Sequence, residues 1–212
     1  MILEAEGVPF DENGRARKSH RLSAVDLSVL VGKEIPEESL PATVARSSEE
    51  ARASGAARFE ALLRENQTPE VVEGVLAVLR FWEEQGGHQV YGKGEETSCF
   101  PTVDAGGTNA SRALWPIAIY PASGTVEVVF QYLKRRPPFD DEPLRRALME
   151  RFNAVDGIDL AEARLDLRPS FPLEAFAAHG EDIRAVLEWF VHEVALAEAR
   201  RPFDEDSAQA VF

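Results

Sequence analysis

The order of local patterns along the chain predicts an α+β fold: a helical pair, a four-stranded antiparallel meander, then two or three helices packed on one face of the sheet. Three observations carry this expectation. Apolar residues recur at helical spacing between Ser47 and about Trp82. β-branched and aromatic segments, separated by links with turn chemistry, fill residues 88–134. Helical spacing then returns from Asp140 onward.

The first 45 residues are rich in Gly, Pro, Ser and charge and hold only short apolar pieces, so 1–45 is expected to be an irregular or β-containing arm. Within it Arg15–Arg21 (RARKSHR) is a basic island, read as a solvated loop or, alternatively, a tethering patch for a partner. Residues 46–198 are expected to form one α+β domain and 199–212 an acidic, frayed tail. The domain opens with Ser47 and Glu50 in capping-box spacing, followed by an Ala-rich stretch with Phe59, Leu62 and Leu63 on one stripe. Thr68 before Pro69 has the form of an N-cap with proline at the first helical position. The helix it starts carries Val71, Val72, Val75, Leu76, Leu79 and Trp82 and stops at Gly86-Gly87.

Strands are predicted over 88–92, 97–103, 112–120 and 125–134, linked by GKGEE, DAGGTNAS and PASG. In the last of them alternation puts Val126, Val128 and Phe130 on one face and Glu127, Val129 and Gln131 on the other. Pro101 and Pro116 cannot donate to a ladder, which favours bulges or edges there. After Pro137-Pro138, a helix from Asp140-Asp141 runs through Leu144, Leu148 and Phe152. A loop or short strand spans Leu165–Phe171. The last long helix starts near Glu181 and carries Ile183, Val186, Leu187, Phe190, Val191 and Val194.

Composition limits function. The chain is 44% hydrophobic, enough for a sizeable core, and its 23 Lys and Arg against 37 Asp and Glu give a net charge of −14. That charge argues against indiscriminate affinity for nucleic acid or anionic membrane, so any such binding must be local. The single cysteine, Cys99, rules out an internal disulfide and Cys-rich zinc patterns and fits a reducing cytoplasm. The N-terminal MILEAE has no basic or apolar signal region, and no apolar run approaches the roughly 18 residues of a membrane span.

Phosphate-loop, dinucleotide-binding, H-E-x-x-H, G-x-S-x-G and EF-hand signatures are absent, and Gly92-Lys93-Gly94 reads as a turn. The histidines His20, His88, His179 and His192 are scattered, so neither a metal site nor a cofactor is expected. Cys99 is expected to be a small buried apolar residue; as a nucleophile it would need His88. From Thr68 the order of elements is similar to the core of restriction-type nucleases, in which two acids hold Mg²⁺ and a lysine orients water. Asp104 suits the first acid. Glu127 is followed by Val128-Val129, so the acid-x-Lys element is missing, and Lys134 falls on the wrong face. A degenerate, non-catalytic relative survives that comparison.

Lys134, Arg135, Arg136, Arg145, Arg146 and Arg151 hold much of the scarce positive charge, interleaved with Asp140, Asp141, Glu142 and Glu150. Surface ion pairing accounts for most of it. The functional expectation is that Pro137-Pro138 hold Lys134 and Arg136 on one side of the strand exit, near Arg168, as a clamp for an anionic partner or phosphate. The candidate binding residues are therefore Lys134, Arg135, Arg136 and Arg168, with Glu127 and Asp104; none is assigned as catalytic.

The stretch GTVEVVFQYLKRRPPFDDEPLRRALMERFNAVDGIDL, then RPSFPLEAF and a terminal helix with Trp189, resembles a bacterial module of no settled activity found at the C-termini of larger proteins. The likeness covers about residues 68–197, with Gly124, Glu127, Phe130, Lys134, Pro137, Pro138, Phe139, Asp140, Arg168, Pro169 and Ser170 at matching positions. It implies bacterial origin and company with DNA-processing or defence proteins. The resulting expectation is a cytoplasmic, non-enzymatic binding or regulatory module acting through protein partners. The alternatives are a nucleic-acid-binding or degenerate nuclease-like domain using the basic patch, and an enzyme assembled from Glu127, Lys134 and Asp104.

Overall fold

The structure, a computed structural model, describes residues 42–94, 96–105 and 113–200. The expectations for the arm up to residue 41, with its basic island and His20, for residues 106–112 of the glycine-rich link, and for the tail from 201 lie outside the described residues. Helix α1 (Ala42–Asn66) is followed by α2 (Pro69–Glu84) and strands β1 (His88–Tyr91), β2 (Cys99–Asp104), β3 (Ala113–Leu114), β4 (Ile117–Tyr120) and β5 (Thr125–Val128). Then come a single turn α3 (Phe130–Leu133), α4 (Glu142–Asn153), a 3₁₀ turn (Glu162–Arg164), β6 (Ser170–Pro172), α5 (Leu173–Ala178) and α6 (Gly180–Ala199). The class is α+β, as expected, with helices before and after an antiparallel sheet.

The sheet is larger than the predicted meander. Its strands run β1-β2-β4-β5-β6, with β3 also paired to β2. Ser170–Pro172 is the added strand: it lies against β5 with Val126 opposite Phe171. The row Tyr91, Cys99, Ile119, Val126, Phe171 crosses the sheet on one face, and helices cover it. Phe59 of α1 meets Tyr91, Phe152 of α4 meets Phe171, and the Gln89 amide donates to the carbonyl of Leu79 in α2. Trp82 is fully buried beneath this layer, its indole N–H donating to the Thr102 carbonyl at 3.0 Å. Each such large apolar side chain contributes about 1.5–3 kcal/mol by leaving water.

Local chemistry explains the helix boundaries. Thr68 caps α2, its hydroxyl accepting from Val71 N, with Pro69 at the first position. Gly86, at φ 82°, ends it. Gly74 lets α2 approach α5 closely: a Cβ there would lie 2.7 Å from the Ala177 carbonyl oxygen. Helix α1 departs from expectation, since it begins at Ala42 and runs through Ser47, which is therefore not its cap.

Two predicted strands are corrected. Residues 125–134 are a strand only to Val128; the chain then coils through α3, with Leu133 N bonded to Val129 O and Lys134 N to Phe130 O. Phe130 and Leu133 are both fully buried, and their separation of three residues is a helical spacing that alternation overlooks. Residues 112–120 divide at Trp115-Pro116. Cys99 pairs with Ile119 and Val103 with Leu114, so four steps on β2 face five on the other side: a β-bulge of one extra residue. Pro116 lies in that break and Pro101 on β2 lies opposite it, where the absent N–H groups cost no ladder bond.

Candidate functional site

The bulge determines which side chains the uncovered face of the sheet presents. Strict alternation from Ile117 and Ile119 would send Trp115 into the helical core. The extra residue instead gives Leu114 the core position, 1% exposed, and swings Trp115 to the opposite face beside Phe100. There α3 delivers Tyr132, which stacks on Trp115 with centroids 3.7 Å apart and planes 24° from parallel. Phe100 meets Trp115 edge-on at 6.0 Å. The Arg136 guanidinium lies 3.6 Å over the other face of Tyr132 and donates to the Tyr132 carbonyl at 3.4 Å. Four planar groups thus form one column, anchored by the Tyr132 hydroxyl donating to the Ala113 carbonyl.

Next to the column stands a second assembly. Tyr120 on β4 and Glu127 on β5 are diagonal cross-strand neighbours. The Tyr120 hydroxyl donates to Glu127 Oε2 at 3.0 Å, and Arg168 Nη2 reaches the same oxygen at 2.7 Å and the Tyr120 oxygen at 3.0 Å. Pro169 fixes the approach of Arg168, its carbonyl accepting from Val128 N. Arg168 Nε and Nη1 have no partner among the described residues. Burial, then the Glu127 hydrogen bond, push the Tyr120 phenol above its usual value, with Arg168 opposing. Burial likewise raises Tyr132, to about 12, against the pull of Arg136.

Between the two assemblies lies a cleft of about 410 Å³ lined by Phe100, Trp115, Tyr120, Val129, Gln131, Tyr132, Arg135, Arg136 and Arg168. Of the residues the sequence singled out, the structure brings Arg135, Arg136 and Arg168 together here, with Glu127 behind Arg168. The others lie apart. Lys134 turns away to Asp166, 3.4 Å distant, because α3 rotates it from its neighbours as a strand would not. Arg145 reaches the same Asp166 from a buried position. Asp104, at the end of β2, lies 4.0 Å from His88 Nδ1 and does not line the cleft. Arg146 bridges Glu142 and Glu162 in a separate open groove, where its charge is already matched.

Sequence reasoning missed Phe100, Trp115, Tyr120 and Tyr132, the walls of the cleft. The signal was Pro116 directly after Trp115: a proline within an apolar strand marks a bulge, and a bulge reverses the side from which the preceding residue projects. Among the described residues that line it, the cleft offers guanidinium donors in excess and no Ser, Cys, Lys or His. Cys99 faces the helices, fully buried, and burial with the Glu83 charge pushes its thiol far above the ordinary value. Glu127, Lys134 and Asp104 do not converge: Glu127 is bonded to Arg168 and Lys134 to Asp166, and Asp104 lies at the end of β2. Among the described residues no three His, Cys, Asp or Glu side chains are placed to hold a metal ion, and no helix is long and apolar enough to cross a membrane. No family model, no curated protein and no solved structure matches the chain.

Proposed function

We propose that this chain is a non-enzymatic binding module that engages an acidic segment of a protein partner in the aromatic cleft. One observation carries this reading: Arg135, Arg136 and Arg168 converge on a single cleft with aromatic walls, and their guanidinium donors are largely uncommitted. Arginine and aromatic side chains together are the composition of binding hot spots, and charge-assisted bonds to a carboxylate are about twice as strong as neutral ones. The acidic remainder of the molecule favours a local contact over an extended polyanion. Placement in a bacterial cytoplasm, in company with a defence or DNA-processing system, follows from the lone cysteine and the resemblance of residues 68–197.

The test is fluorescence anisotropy with two labelled probes, an acidic phenylalanine-containing peptide and single-stranded oligothymidylate. The peptide is expected to bind, and the Arg136→Ala/Arg168→Ala variant to lose at least about tenfold in affinity, roughly the 1.4 kcal/mol of one charge-assisted contact. Its melting temperature is expected to fall by only a few degrees, because both side chains are partly exposed and an exposed ion pair is worth about 1 kcal/mol or less. Tighter, salt-dependent binding of the oligonucleotide would favour the nucleic-acid reading instead.

A further inference from the structure

Taking the protein-binding reading of the cleft as its basis, we propose that the preferred occupant is a phosphorylated aromatic side chain, a phosphotyrosine-like group on the partner, rather than a simple carboxylate. Charge leads to this choice. Arg135, Arg136 and Arg168 surround the cleft, and among the described residues only Glu127 pairs with any of them, which leaves two positive charges unmatched there. Lys134 does not add to them, being paired with Asp166. A phosphate monoester carries about −1.5 to −2 at neutral pH, whereas one carboxylate leaves a cation without a partner.

Donor geometry agrees. Glu127 and Tyr120 both hold Arg168 through Nη2, which fixes the guanidinium while leaving Nε and Nη1 for a ligand. Arg136 is held over Tyr132, its guanidinium carbon 3.6 Å from the ring centroid, with one bond of 3.4 Å to a carbonyl. Arg135 is exposed and has no partner among the described residues. Two oriented guanidinium groups and a third free to close on the ligand suit the three outer oxygens of a phosphate, which accept paired N–H bonds from planar forks.

The walls select for a hydrocarbon ring. The volume of about 410 Å³ is at the small end of ligand sites, the size for a side chain and its head group. Tyr132 has both faces covered, by Trp115 at 3.7 Å and Arg136 at 3.6 Å, and Phe100 sits edge-on to Trp115. Tyr132 therefore offers a nucleobase no open ring face, and the exocyclic amino groups of a base find no acceptor among the three guanidinium groups. A phenyl ring needs neither an acceptor nor a full face and packs edge-on against such walls.

Isothermal titration calorimetry tests the proposal with an Ala-Ala-Tyr-Ala-Ala peptide, its phosphotyrosine form, the phosphoserine counterpart and adenosine monophosphate. The phosphotyrosine peptide is expected to bind at least about tenfold more tightly than each of the other three. Arg135→Ala, at an exposed and unpaired site, and Arg168→Lys, which keeps the charge but loses the planar fork, are each expected to remove most of that preference. Equal binding of the phosphotyrosine and phosphoserine peptides would overturn the ring requirement. Equal binding of the phosphorylated and plain tyrosine peptides would overturn the phosphate requirement while leaving a protein-binding cleft. Tighter binding of adenosine monophosphate would overturn the protein-binding reading as well. If no probe binds, the phosphotyrosine proposal falls, and the acidic-peptide titration separately decides the reading beneath it.

Discussion

Arg168 and Arg145 are both tied to carboxylates, yet they have opposite roles. Arg168 is 40% exposed and bonded through one nitrogen, so water screens its pairing with Glu127 and its remaining donors are accessible. Arg145 is 6% exposed, donates to the carbonyls of Phe139 and Asp140 at 2.8 Å each, and pairs with Asp166. Its Nε is buried without a partner, a penalty the other bonds must offset. Arg145→Ala is expected to lower unfolding free energy in urea by about 3 kcal/mol, the cost of orphaning two carbonyls and emptying a buried site; a loss below about 1 kcal/mol would show that water replaces it. The sequence distinguished these arginines poorly. Arg136 and Arg168 were legible as a pair, since two prolines and Pro169 fix their approaches. Lys134 and Asp104 were not: Lys134 finds a closer partner in Asp166, in a segment whose position no local pattern encodes, and Asp104 ends β2 away from the cleft.

Helix and strand boundaries were legible wherever one local signal acted without competition, as at Thr68-Pro69 and Gly86. They failed where two periodicities overlapped. Val126 to Leu133 satisfies strand alternation for its first half and helical spacing for its second, and the changeover falls where the pairing of β5 with β6 ends, a contact between distant segments. Residues 112–120 were expected as one strand with a bulge or edge at Pro116; the bulge is there, but the pairing that makes it a single extra residue, and so turns Trp115 to the other face, is not carried by composition. Gly74 marks a close approach of two helix backbones. Alanine would gain up to about 1 kcal/mol in helix propensity, but its Cβ would sit 2.7 Å from the Ala177 carbonyl oxygen and 2.9 Å from its Cα, backbone atoms that cannot rotate away. Gly74→Ala is expected to be net destabilising by about 1–2 kcal/mol, and Gly74→Val by more. A thermal melt that moves upward in Gly74→Ala would show that α5 yields.

At the scale of the molecule, all three tyrosines lie against the core, and all three phenols are raised by burial: Tyr91, Tyr120, and Tyr132 to about 12. An unfolded phenol titrates near 10. The protonated form is therefore favoured by folding, and the stability this confers is complete below about pH 10 and lost as pH rises toward 12. Absorbance at about 295 nm, where phenolate absorbs, is expected to remain low through pH 10 and then to rise together with loss of secondary structure. A smooth, non-cooperative rise near 10 would place the three rings in water. The same acidic molecule, at −14, presents its free guanidinium donors at the cleft, so added salt is expected to weaken cleft binding only modestly, through one or two local charges.

Cys99 has one more consequence. It is the chain's one sulfhydryl, fully enclosed between β1 and β4 on the helix-covered face of β2. A water-soluble disulfide reagent reaches it only when those central strands part, so the rate of thiol labelling in buffer becomes a stopwatch for their opening. Labelling is expected to run at least about 10³-fold slower than in urea-unfolded protein, with a protection factor that tracks the equilibrium stability. A ligand seated in the cleft on the other side of the same strands would slow the stopwatch further, and so report its own binding without any label on either partner.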